Sequence, residues 1–282
     1  MVEIKSENAI AIISELGAEI QSVKINDAEY IWHGDPKFWS GRAPLLFPIC
    51  GGLIDNKTMI YGKEYKIPKH GFAQNKLFKV ENIDDSSVTF LLTEDSETLE
   101  IYPFHFELRV NYKLTQNRLD VTYNVTNKEK DTMYYSIGSH EAYTCPEGFQ
   151  KYDIVFPDSE TLTALNVTGS QLDHKGTCVL KDGKTLPLYN EYFTYDALVF
   201  EKFNSKSATL RNRTDGREVT VEFPDATMLL IWTKPNATFV CIEPWCGAPD
   251  YVDSTNDFSQ KIGIKSISPQ SIDTTTHSIF FK

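Results

Sequence analysis

Apolar and polar residues alternate with a period of two through most of the chain, which is typical of β-strands that bury one face. The most regular segments are Phe106–Leu114 and Leu119–Thr126, and the residues Gln116-Asn117 between them predict a hairpin turn. Asp215-Gly216 predicts a second hairpin, because both residues tolerate positive φ. Further predicted strands are Ala9–Ile13, Leu16–Ile20, Val23–Ile25, Tyr134–Gly138, Ala197–Phe200, Ala208–Asn212, Glu218–Phe223, Met228–Thr233, Phe239–Ile242 and Ser278–Phe281.

The overall prediction is an all-β protein. No stretch longer than about two turns keeps a helical period, and no internal repeat or linker-like segment interrupts the chain. The chain has 282 residues, of which 41% are hydrophobic, so it is long enough to bury a large core. We therefore predict a single domain over residues 1–282 with the fold of a large antiparallel β-sandwich.

Charge and composition restrict the classes of partner. The net charge of -11 is spread along the chain, and no cluster of Lys and Arg alternates with aromatic residues. Nucleic acid and anionic membranes are therefore not expected as partners. The N-terminal residues lack the pattern of a secretory signal, and five cysteines without a recognisable framework favour reduced thiols, so we predict a cytoplasmic protein.

Glu243 is the first candidate for chemistry. It follows the apolar run Phe239–Ile242, which predicts a strand buried on both faces, and it precedes Pro244 and Trp245. Pro244 lacks an N–H group, so the strand is predicted to end there and to leave Glu243 at its end with little water. Burial raises the pKa of a carboxyl group toward neutrality, which suits proton transfer. The alternative is a structural Glu paired with a buried Arg.

Two histidines stand at positions that suit a ligand site. His140 follows the predicted strand Tyr134–Gly138, and the small residues of its parity, Ser136 and Gly138, are expected to leave room for a ligand. His70 lies between Pro68 and Gly71, which predicts a loop that presents its side chain. Either residue could equally serve as an ordinary packed histidine.

Other common chemistries have no sequence motif here. No Gly-rich phosphate loop or Gly-x-Ser-x-Gly elbow is present. The histidines are dispersed and Cys241 and Cys246 have no second pair, so no metal site is predicted and the cysteines are expected to be inert. A carboxyl group and an imidazole at strand ends, near Trp and Tyr, would instead suit proton transfer on a sugar ring whose C–H face stacks on the aromatic residues.

Several segments together resemble the aldose 1-epimerase (galactose mutarotase) family, in the LacX-like branch of mutarotase-like proteins. They occur in the family's order over nearly the whole chain: Leu16–Ile20, Arg42 with Pro44–Pro48, His70–Ala73, Gly138–His140, Tyr195–Leu198, Glu243–Trp245 and Ile267–Pro269. The resemblance implies a β-supersandwich and a cofactor-independent isomerase that interconverts the α- and β-anomers of an aldose.

The resemblance also implies roles for individual residues. Glu243 matches the general base that removes the proton of the C1 hydroxyl, and His140 matches the general acid that protonates the ring oxygen. The family's residues that hold the sugar hydroxyls are matched by Arg42, His70 and Asp196, and Gln74 and Trp245 are expected as further contacts to the sugar.

Gln74 marks a departure from relatives that act on hexose 6-phosphates. These relatives commonly have an Arg at this position, and a neutral amide does not replace a bidentate guanidinium at a phosphate. We therefore expect a non-phosphorylated hexose such as galactose or glucose, although Lys69, Lys76 or Arg42 could compensate for the missing Arg.

Three alternatives stay open at this point. The chain could be a hexose-6-phosphate 1-epimerase, or a sugar-binding or sensing protein without turnover. It could also be a glycoside hydrolase that pairs Glu243 with Asp196 or Asp250, which requires two carboxyl groups about 5–5.5 or 6.5–9.5 Å apart. A small-molecule sugar is the expected ligand, and the sequence is compatible with a monomer or a homodimer.

Overall fold

The computed structural model describes all residues, Met1–Lys282, and consists almost entirely of β-strands. The first strands are β1 (Val2–Ser6), β2 (Ala9–Ile13), β3 (Ile20–Ile25), β4 (Ala28–Glu29), β5 (Lys57–Ile60), β6 (Lys63–Lys66), β7 (Lys79–Ile83), β8 (Ser87–Thr93), β9 (Phe106–Thr115), β10 (Arg118–Asn127) and β11 (Met133–Tyr135). The remaining strands are β12 (Ile137–Gly138), β13 (Ala142–Thr144), β14 (Tyr152–Thr168), β15 (Gln171–Pro187), β16 (Leu198–Phe200), β17 (Ser207–Asn212), β18 (Glu218–Glu222), β19 (Met228–Trp232), β20 (Phe239–Cys246), β21 (Lys265–Ile267) and β22 (Ile272–Phe281).

Helical structure is confined to short segments. The single α-helix, α1 (Ser96–Ile101), begins at a capping box in which the Asp95 carboxylate accepts from the Thr98 N–H and the Thr98 hydroxyl accepts from the Asp95 N–H. Short 3₁₀ helices lie at Ile54–Asn56, Ala73–Asn75, Phe149–Lys151, Asn190–Phe193 and Phe258–Gln260. None of the helices has the length and hydrophobicity that a membrane crossing requires.

The strands form antiparallel sheets that share one hydrophobic core. The largest has nine strands in the order β15-β14-β17-β18-β22-β10-β9-β8-β7, a second has four in the order β1-β2-β3-β4, and a third contains β12, β20, β19 and β16 with β13 also paired to β20. One cluster of 66 buried residues includes side chains from all three, for example Val23, Val121 and Ile242. The all-β sandwich predicted from the alternating pattern is therefore confirmed.

Several predicted elements agree with the structure. The hairpin around Gln116-Asn117 is formed by β9 and β10, with Gln116 at φ 52 in its turn. The hairpin around Asp215-Gly216 is formed by β17 and β18. In both hairpins one face is buried and the other is wet, so the period of two is visible in the sequence.

The prediction that a strand ends at Pro244 was wrong. Strand β20 continues to Cys246, and all of its eight residues are buried, so Glu243 lies inside a strand. The carbonyl of Pro244 accepts a hydrogen bond from the Ser139 N–H, on the side where the partner chain is interrupted between β12 and β13. Because the missing N–H of Pro244 faces that interruption, the ladder loses no hydrogen bond there.

The predicted strand Tyr134–Gly138 is divided in the structure. Strand β11 pairs with β21, whereas β12 pairs with β20 in a different sheet. The break falls at Ser136, whose N–H donates to the Pro48 carbonyl. Leu16–Ile20 is likewise not a continuous strand, because Gly17 and Ala18 have positive φ and β3 begins only at Ile20.

The hairpin of β14 and β15, which has 17 residues in each strand, was not predicted from the sequence. Several register shifts interrupt its pairing, and most of β15 is exposed or half-buried. These features remove the regular alternation on which the strand prediction depended. The hairpin is important for the site because it forms one of its walls.

Candidate active site

One face of the sheet containing β20 forms the floor of a cavity of about 310 Å³. Directly opposite residues of antiparallel strands point to the same face of a sheet. The pairs of this floor are Val199 with Leu230, Leu230 with Glu243, Trp232 with Cys241, and Gly138 with Trp245. The register therefore places one carboxylic acid, Glu243, among mainly apolar and aromatic side chains.

Glu243 lies on this floor and is 1% exposed. Burial raises the pKa of its carboxyl group well above the ordinary value, because the charged form loses its contact with water. The positive charge of Lys69 opposes this change, whereas the negative charge of Asp196 adds to it. The carboxyl group is consequently a stronger proton acceptor, once ionised, than a carboxylate in water.

His140 is in contact with Glu243. It lies in the interruption between β12 and β13, and its Nε2 is 3.4 Å from the Oε2 of Glu243. Its ring stacks on Trp39, with 4.9 Å between the ring centroids and 27° between the planes. Burial lowers the pKa of His140 to about 4, so the imidazole is mainly neutral at pH 7 in the free protein.

His70 presents a hydrogen-bond donor to the cavity. The Gly51 N–H donates to its Nδ1 over 3.2 Å, which leaves the proton of the neutral ring on Nε2. Burial lowers the pKa of His70 well below its usual value, so this neutral form persists at ordinary pH. The ring also meets Trp245 edge to face, with 5.6 Å between the centroids.

The backbone at His70 and Gly71 is unusual, because both residues have positive φ, at 66° and 72°. A Cβ atom at Gly71 would lie 2.1 Å from the Phe47 carbonyl oxygen, so only glycine fits this close approach. The Phe72 N–H donates to the same carbonyl. The Gly after His70 therefore lets the loop dock against the Phe47 segment and turns the imidazole into the cavity.

Three further predicted residues, Asp196, Gln74 and Trp245, also line the cavity. Asp196 precedes β16, and its Oδ1 accepts from the Ala197 N–H over 2.8 Å. Trp245 is held by a hydrogen bond from its Nε1 to the Ser139 carbonyl. The structure thus brings together six of the residues that were predicted for the site.

Arg42 is the predicted residue that does not line this cavity. Its Nη1 donates to the Gln21 carbonyl over 2.8 Å, and its own carbonyl accepts from the Ala142 N–H. These bonds connect the segment before Ala43 to β3 and to the start of β13. The side chain of Arg42 is therefore bonded to β3, and its backbone carbonyl to the strand that follows His140.

The space beside Gly138 was predicted to be room for a ligand, and that expectation was wrong. A Cβ atom at Gly138 would lie 2.5 Å from Cδ1 of Trp245 and 3.1 Å from Sγ of Cys50. The indole of Trp245 occupies the space. The absence of a side chain at Gly138 therefore positions Trp245 as a wall of the cavity.

Several lining residues were not singled out from the sequence. Trp39 and Trp232 flank His140, and the β14–β15 hairpin contributes Val167 and Leu172. Trp232 could have been identified from the sequence, because it lies two residues after Leu230 on β19 and therefore points to the same face of the sheet. The hairpin residues carry no comparable signal, because they reach the cavity only through the folding of a distant part of the chain.

A second buried acid lies behind the cavity. Glu141 follows His140 in the sequence, so its side chain points to the opposite side, where its Oε1 is 3.0 Å from Nε2 of His277 on β22. Both side chains are at least 95% buried. Burial opposes ionisation of Glu141, but the charge and the hydrogen bond of His277 lower its pKa overall. The negative charge of Glu141 in turn favours protonation of His140.

One set of side chains has the spacing of a metal site. Ligand atoms of His140, Cys241 and Glu243 lie within 4.8 Å of one another. Burial raises the pKa of the Cys241 thiol well above its usual value, and the side chain packs among Trp32, Ala142 and Phe239. A protonated thiol in an apolar cluster is a poor metal ligand, so these residues fit a proton-transfer pair better than a metal centre.

The arrangement suits proton transfer to a polyhydroxylated ring. A carboxyl group and an imidazole at contact distance can exchange one proton with a bound molecule, and the dry floor strengthens their interactions with it. Trp39, Trp232 and Trp245 offer apolar surfaces, while His70 and Asp196 offer a donor and an acceptor.

Comparisons with known proteins place the chain in one family. The model of the aldose 1-epimerase family matches residues 1–265. The plasmid and chromosomal forms of protein LacX from Lactococcus lactis subsp. lactis are each 33% identical over 293 residues, which cover 98% of this chain and 97% of the relative. Among solved structures, a galactose mutarotase related enzyme from Lactobacillus acidophilus is 33% identical, with a TM-score of 0.95 over 100% of this chain and 97% of the other. A galactose mutarotase-like protein from Lactobacillus casei ATCC 334 is 28% identical, with a TM-score of 0.94 over 100% of both chains. The chain therefore belongs to the aldose 1-epimerase family.

Proposed function

We propose that this protein is an aldose 1-epimerase that interconverts the α- and β-anomers of a non-phosphorylated hexose, such as galactose or glucose, without a cofactor. The observation that carries the proposal is the contact between Glu243 and His140, whose side chains are 3.4 Å apart on the floor of a cavity. Membership of the family supports the same reaction class.

The reaction requires two proton transfers to open the ring. Glu243 removes the proton of the C1 hydroxyl while His140 protonates the ring oxygen, and the bond between C1 and that oxygen breaks. The C1–C2 bond of the open aldehyde then rotates. Closure with the two roles reversed returns the proton from Glu243 to O1 and forms the other anomer.

The opposite pKa changes of Glu243 and His140 explain how a pair that holds one proton can catalyse the reaction in both directions. In the free protein, burial favours a protonated Glu243 beside a neutral His140. Ring opening starts from the other arrangement, with the proton on the imidazole. A bound sugar favours that arrangement, because its C1 hydroxyl donates to the carboxylate and its ring oxygen accepts from the imidazolium. The two states therefore lie closer in energy in the complex than in the free protein.

The other lining residues would position the sugar. The Nε2–H of His70 is available to donate to a sugar oxygen, and the Asp196 carboxylate is available to accept from a hydroxyl. The faces of Trp39, Trp232 and Trp245 would pack against the C–H side of the ring. Such positioning can supply a large part of the rate acceleration, because the reacting groups need no further ordering.

Two observations favour an epimerase over a glycoside hydrolase. The group in contact with Glu243 is an imidazole, which serves an epimerase as the acid partner and which the carboxyl-pair mechanism of a glycosidase does not use. Asp250, one of the alternative partners, is buried and bonded to Lys261 over 2.6 Å, and its other oxygen accepts from the Ile54 N–H. Both carboxylate oxygens of Asp250 therefore form bonds within the protein that stabilise a loop.

A hexose 6-phosphate is the second candidate substrate, because Lys69 and Lys234 both line the cavity. Two ammonium groups could attract a phosphate even though Gln74 cannot form a bidentate bond to it. The neutral hexose remains the first choice, because Lys69 is already used electrostatically to favour the ionised form of Glu243.

The proposal is tested by following anomer equilibration of freshly dissolved α-D-glucose and α-D-galactose by polarimetry, and of glucose 6-phosphate by NMR exchange. We expect the wild-type protein to accelerate equilibration. The substitution Glu243→Gln should lower kcat by about 10²–10⁴-fold, because the amide keeps the shape of the side chain but cannot accept the proton.

Two further variants complete the design. Glu100→Gln changes an exposed carboxylate on α1 and should leave the rate unaltered. His140→Asn should lower kcat more than it raises KM, since it removes the proton donor. Sugar binding without acceleration by the wild-type protein would contradict the proposal and favour a binding or sensing protein.

A further inference from the structure

A buried ion pair lies outside the set of residues that the proposed reaction uses. The Nζ of Lys261 donates to Oδ1 of Asp250 over 2.6 Å, and the two side chains are only 2% and 6% exposed. Taking both charges out of water is unfavourable, and apolar side chains of similar volume are often at least as stable in such a place. Net stability is therefore a poor explanation for the pair, whereas a carboxylate held in a fixed direction can serve a geometric purpose.

Asp250 holds one short stretch of chain, residues 51–54, at two points. Its Oδ2 accepts from the Ile54 N–H over 2.9 Å, and its backbone N–H donates to the Gly52 carbonyl over 2.9 Å. Lys261 fixes the other carboxylate oxygen, so Oδ2 keeps its direction toward Ile54. The ion pair thereby sets the position of residues 51–54.

The same stretch of chain contacts His70 through Gly51. The Gly51 carbonyl accepts from the backbone N–H of His70 over 2.8 Å, and the Gly51 N–H donates to the ring Nδ1 over 3.2 Å. The second bond is at the long end of the usual range, so a small displacement of Gly51 would break it. Without that donor the neutral imidazole can carry its proton on either nitrogen. The nitrogen that offers a proton to the cavity therefore depends on the position of Gly51.

Neither member of the ion pair lines the cavity that contains Glu243, whereas Gly51, His70 and Pro249 do. Pro249 precedes Asp250 and lies against Gly51, where an added Cβ atom would be 2.5 Å from the Pro249 Cγ. Asp250 therefore reaches the ligand space only through its neighbours, which makes it a positioning residue and not a catalytic one.

We propose that the buried pair Asp250–Lys261 positions His70 for sugar binding, by holding residues 51–54 so that the Gly51 N–H keeps the imidazole proton on Nε2. The role in sugar binding rests on the proposed function. The control of the imidazole tautomer does not, because it is a property of the free protein.

The test removes both charges together, in the double variant Asp250→Ala with Lys261→Met, so that no unpaired charge remains in the interior. Long-range ¹H–¹⁵N correlation spectra of protein labelled at histidine report the tautomer of His70. In the variant its two ring nitrogen shifts should move toward each other, because both tautomers become populated. The KM for glucose should rise by about three- to tenfold, as for the loss of one hydrogen bond, while kcat changes by less than about twofold.

A conservative variant separates the hydrogen bond from the charge. In Asp250→Asn with Lys261→Met, the amide oxygen can still accept from the Ile54 N–H. This variant should restore most of the wild-type KM and a single tautomer of His70. The wild-type spectra test the inference without any variant, because a proton found on Nδ1 of His70 would overturn it.

Glu160→Ala provides the matched control. Glu160 is a 1% exposed acid whose carboxylate accepts from the N–H groups of Asn204 and Ser205, but it does not line the cavity of Glu243. Its removal should lower the midpoint of thermal unfolding and leave the His70 shifts and the KM unchanged. The inference fails if the Ala–Met double variant keeps the wild-type shifts and KM, or if Glu160→Ala alters them to the same extent.

A failure of the proposed function is distinguishable from a failure of this inference. If the wild-type protein accelerates no sugar, the His70 shifts still test the positioning, and calorimetric titration with glucose replaces KM as the measure of binding. A changed tautomer with unaltered sugar binding in the Ala–Met variant would refute the role in binding. A changed tautomer with weakened binding would support the inference even without turnover.

Discussion

Glu243 and His140 are both harder to charge in the folded protein than in water. Burial is the main cause of the pKa shift of each residue, but the two shifts have opposite directions. The pKa of the acid Glu243 is raised, and the pKa of the base His140 is lowered. The result is a pair that holds one proton over a wide range of pH. A surface Glu beside a surface His would instead form an ion pair and would release the proton less readily.

The single-proton state predicts the pH profile of the reaction. Below about pH 4 the imidazole of His140 is also protonated, so the pair holds two protons. No proton acceptor then remains, and kcat/KM should fall. Above the raised pKa of Glu243 the pair loses its proton and the rate should fall again. Between these limits we expect a broad plateau, which NMR anomer exchange from pH 3 to 10 would measure.

The variant Lys69→Gln tests whether the charge of Lys69 contributes to this pH profile. The Lys69 charge lowers the pKa of both groups, so its removal should move both limbs of the profile to higher pH. An acid limb in wild type near the ordinary pKa of histidine, or limbs that do not move in Lys69→Gln, would contradict the electrostatic account. His174→Gln, at an exposed histidine, serves as the control.

At the scale of elements, the floor of the site depends on where β20 meets its neighbours. The strand can carry Pro244 because its β12–β13 partner is interrupted at that point, and the same interruption holds His140. Gly138 ends β12 opposite Trp245 and leaves space for the indole. One irregularity in a sheet therefore positions a catalytic candidate and an aromatic wall together.

Gly138→Ala tests this arrangement. The new methyl group would lie 2.5 Å from Trp245, so the indole must move and disturb the wall that it shares with His70. We expect a destabilisation of about 1–3 kcal/mol and a clear loss of kcat/KM. Thermal unfolding and polarimetry on the same preparation would measure both effects.

The control for this variant is Gly216→Ala. Gly216 has φ +74 in the β17–β18 turn, and a Cβ atom added there would meet nothing within 4 Å, so only backbone strain is added. It should lower stability by about 1 kcal/mol and leave kcat/KM unaltered. Wild-type activity in Gly138→Ala would show that the position of Trp245 is not important for turnover.

At the scale of the whole molecule, the sheets share one core. The cluster of 66 buried residues includes strands from the four-, nine- and five-stranded sheets, and the buried pair Glu141–His277 connects the segment of His140 to β22. All four tryptophans, Trp32, Trp39, Trp232 and Trp245, lie in smaller clusters at or behind the cavity. Far-UV circular dichroism and tryptophan fluorescence consequently report on different parts of the protein.

Because we predict a single domain, we expect a single unfolding transition. Circular dichroism and tryptophan fluorescence should give coincident denaturation curves, because the floor of the cavity cannot open while the shared core persists. A sugar that binds the native state at 100 times its Kd should stabilise both curves by about 2.7 kcal/mol. Two separate transitions would show instead that the sheets belong to independent folding units.

The sequence by itself determined the fold class and most of the candidate site. Regular alternation is visible wherever a strand has one buried and one wet face, as in β9 and β10. Glu243 was identifiable because a carboxyl group in an apolar run is chemically unusual, and His70 because Gly71 follows it. The segments shared with the aldose 1-epimerase family pointed to the same residues.

Only the tertiary structure decided which of these residues meet. The continuation of β20 through Pro244 depends on a gap in the neighbouring strands, and the bonds of the Arg42 guanidinium depend on the distant Gln21 carbonyl. The β14–β15 hairpin, which forms part of the cavity wall, has a bulged pairing and a mostly exposed β15, so it leaves no regular period in the sequence. Local sequence records the burial of each face, whereas the shape of a cavity depends on contacts between residues that are far apart in the chain.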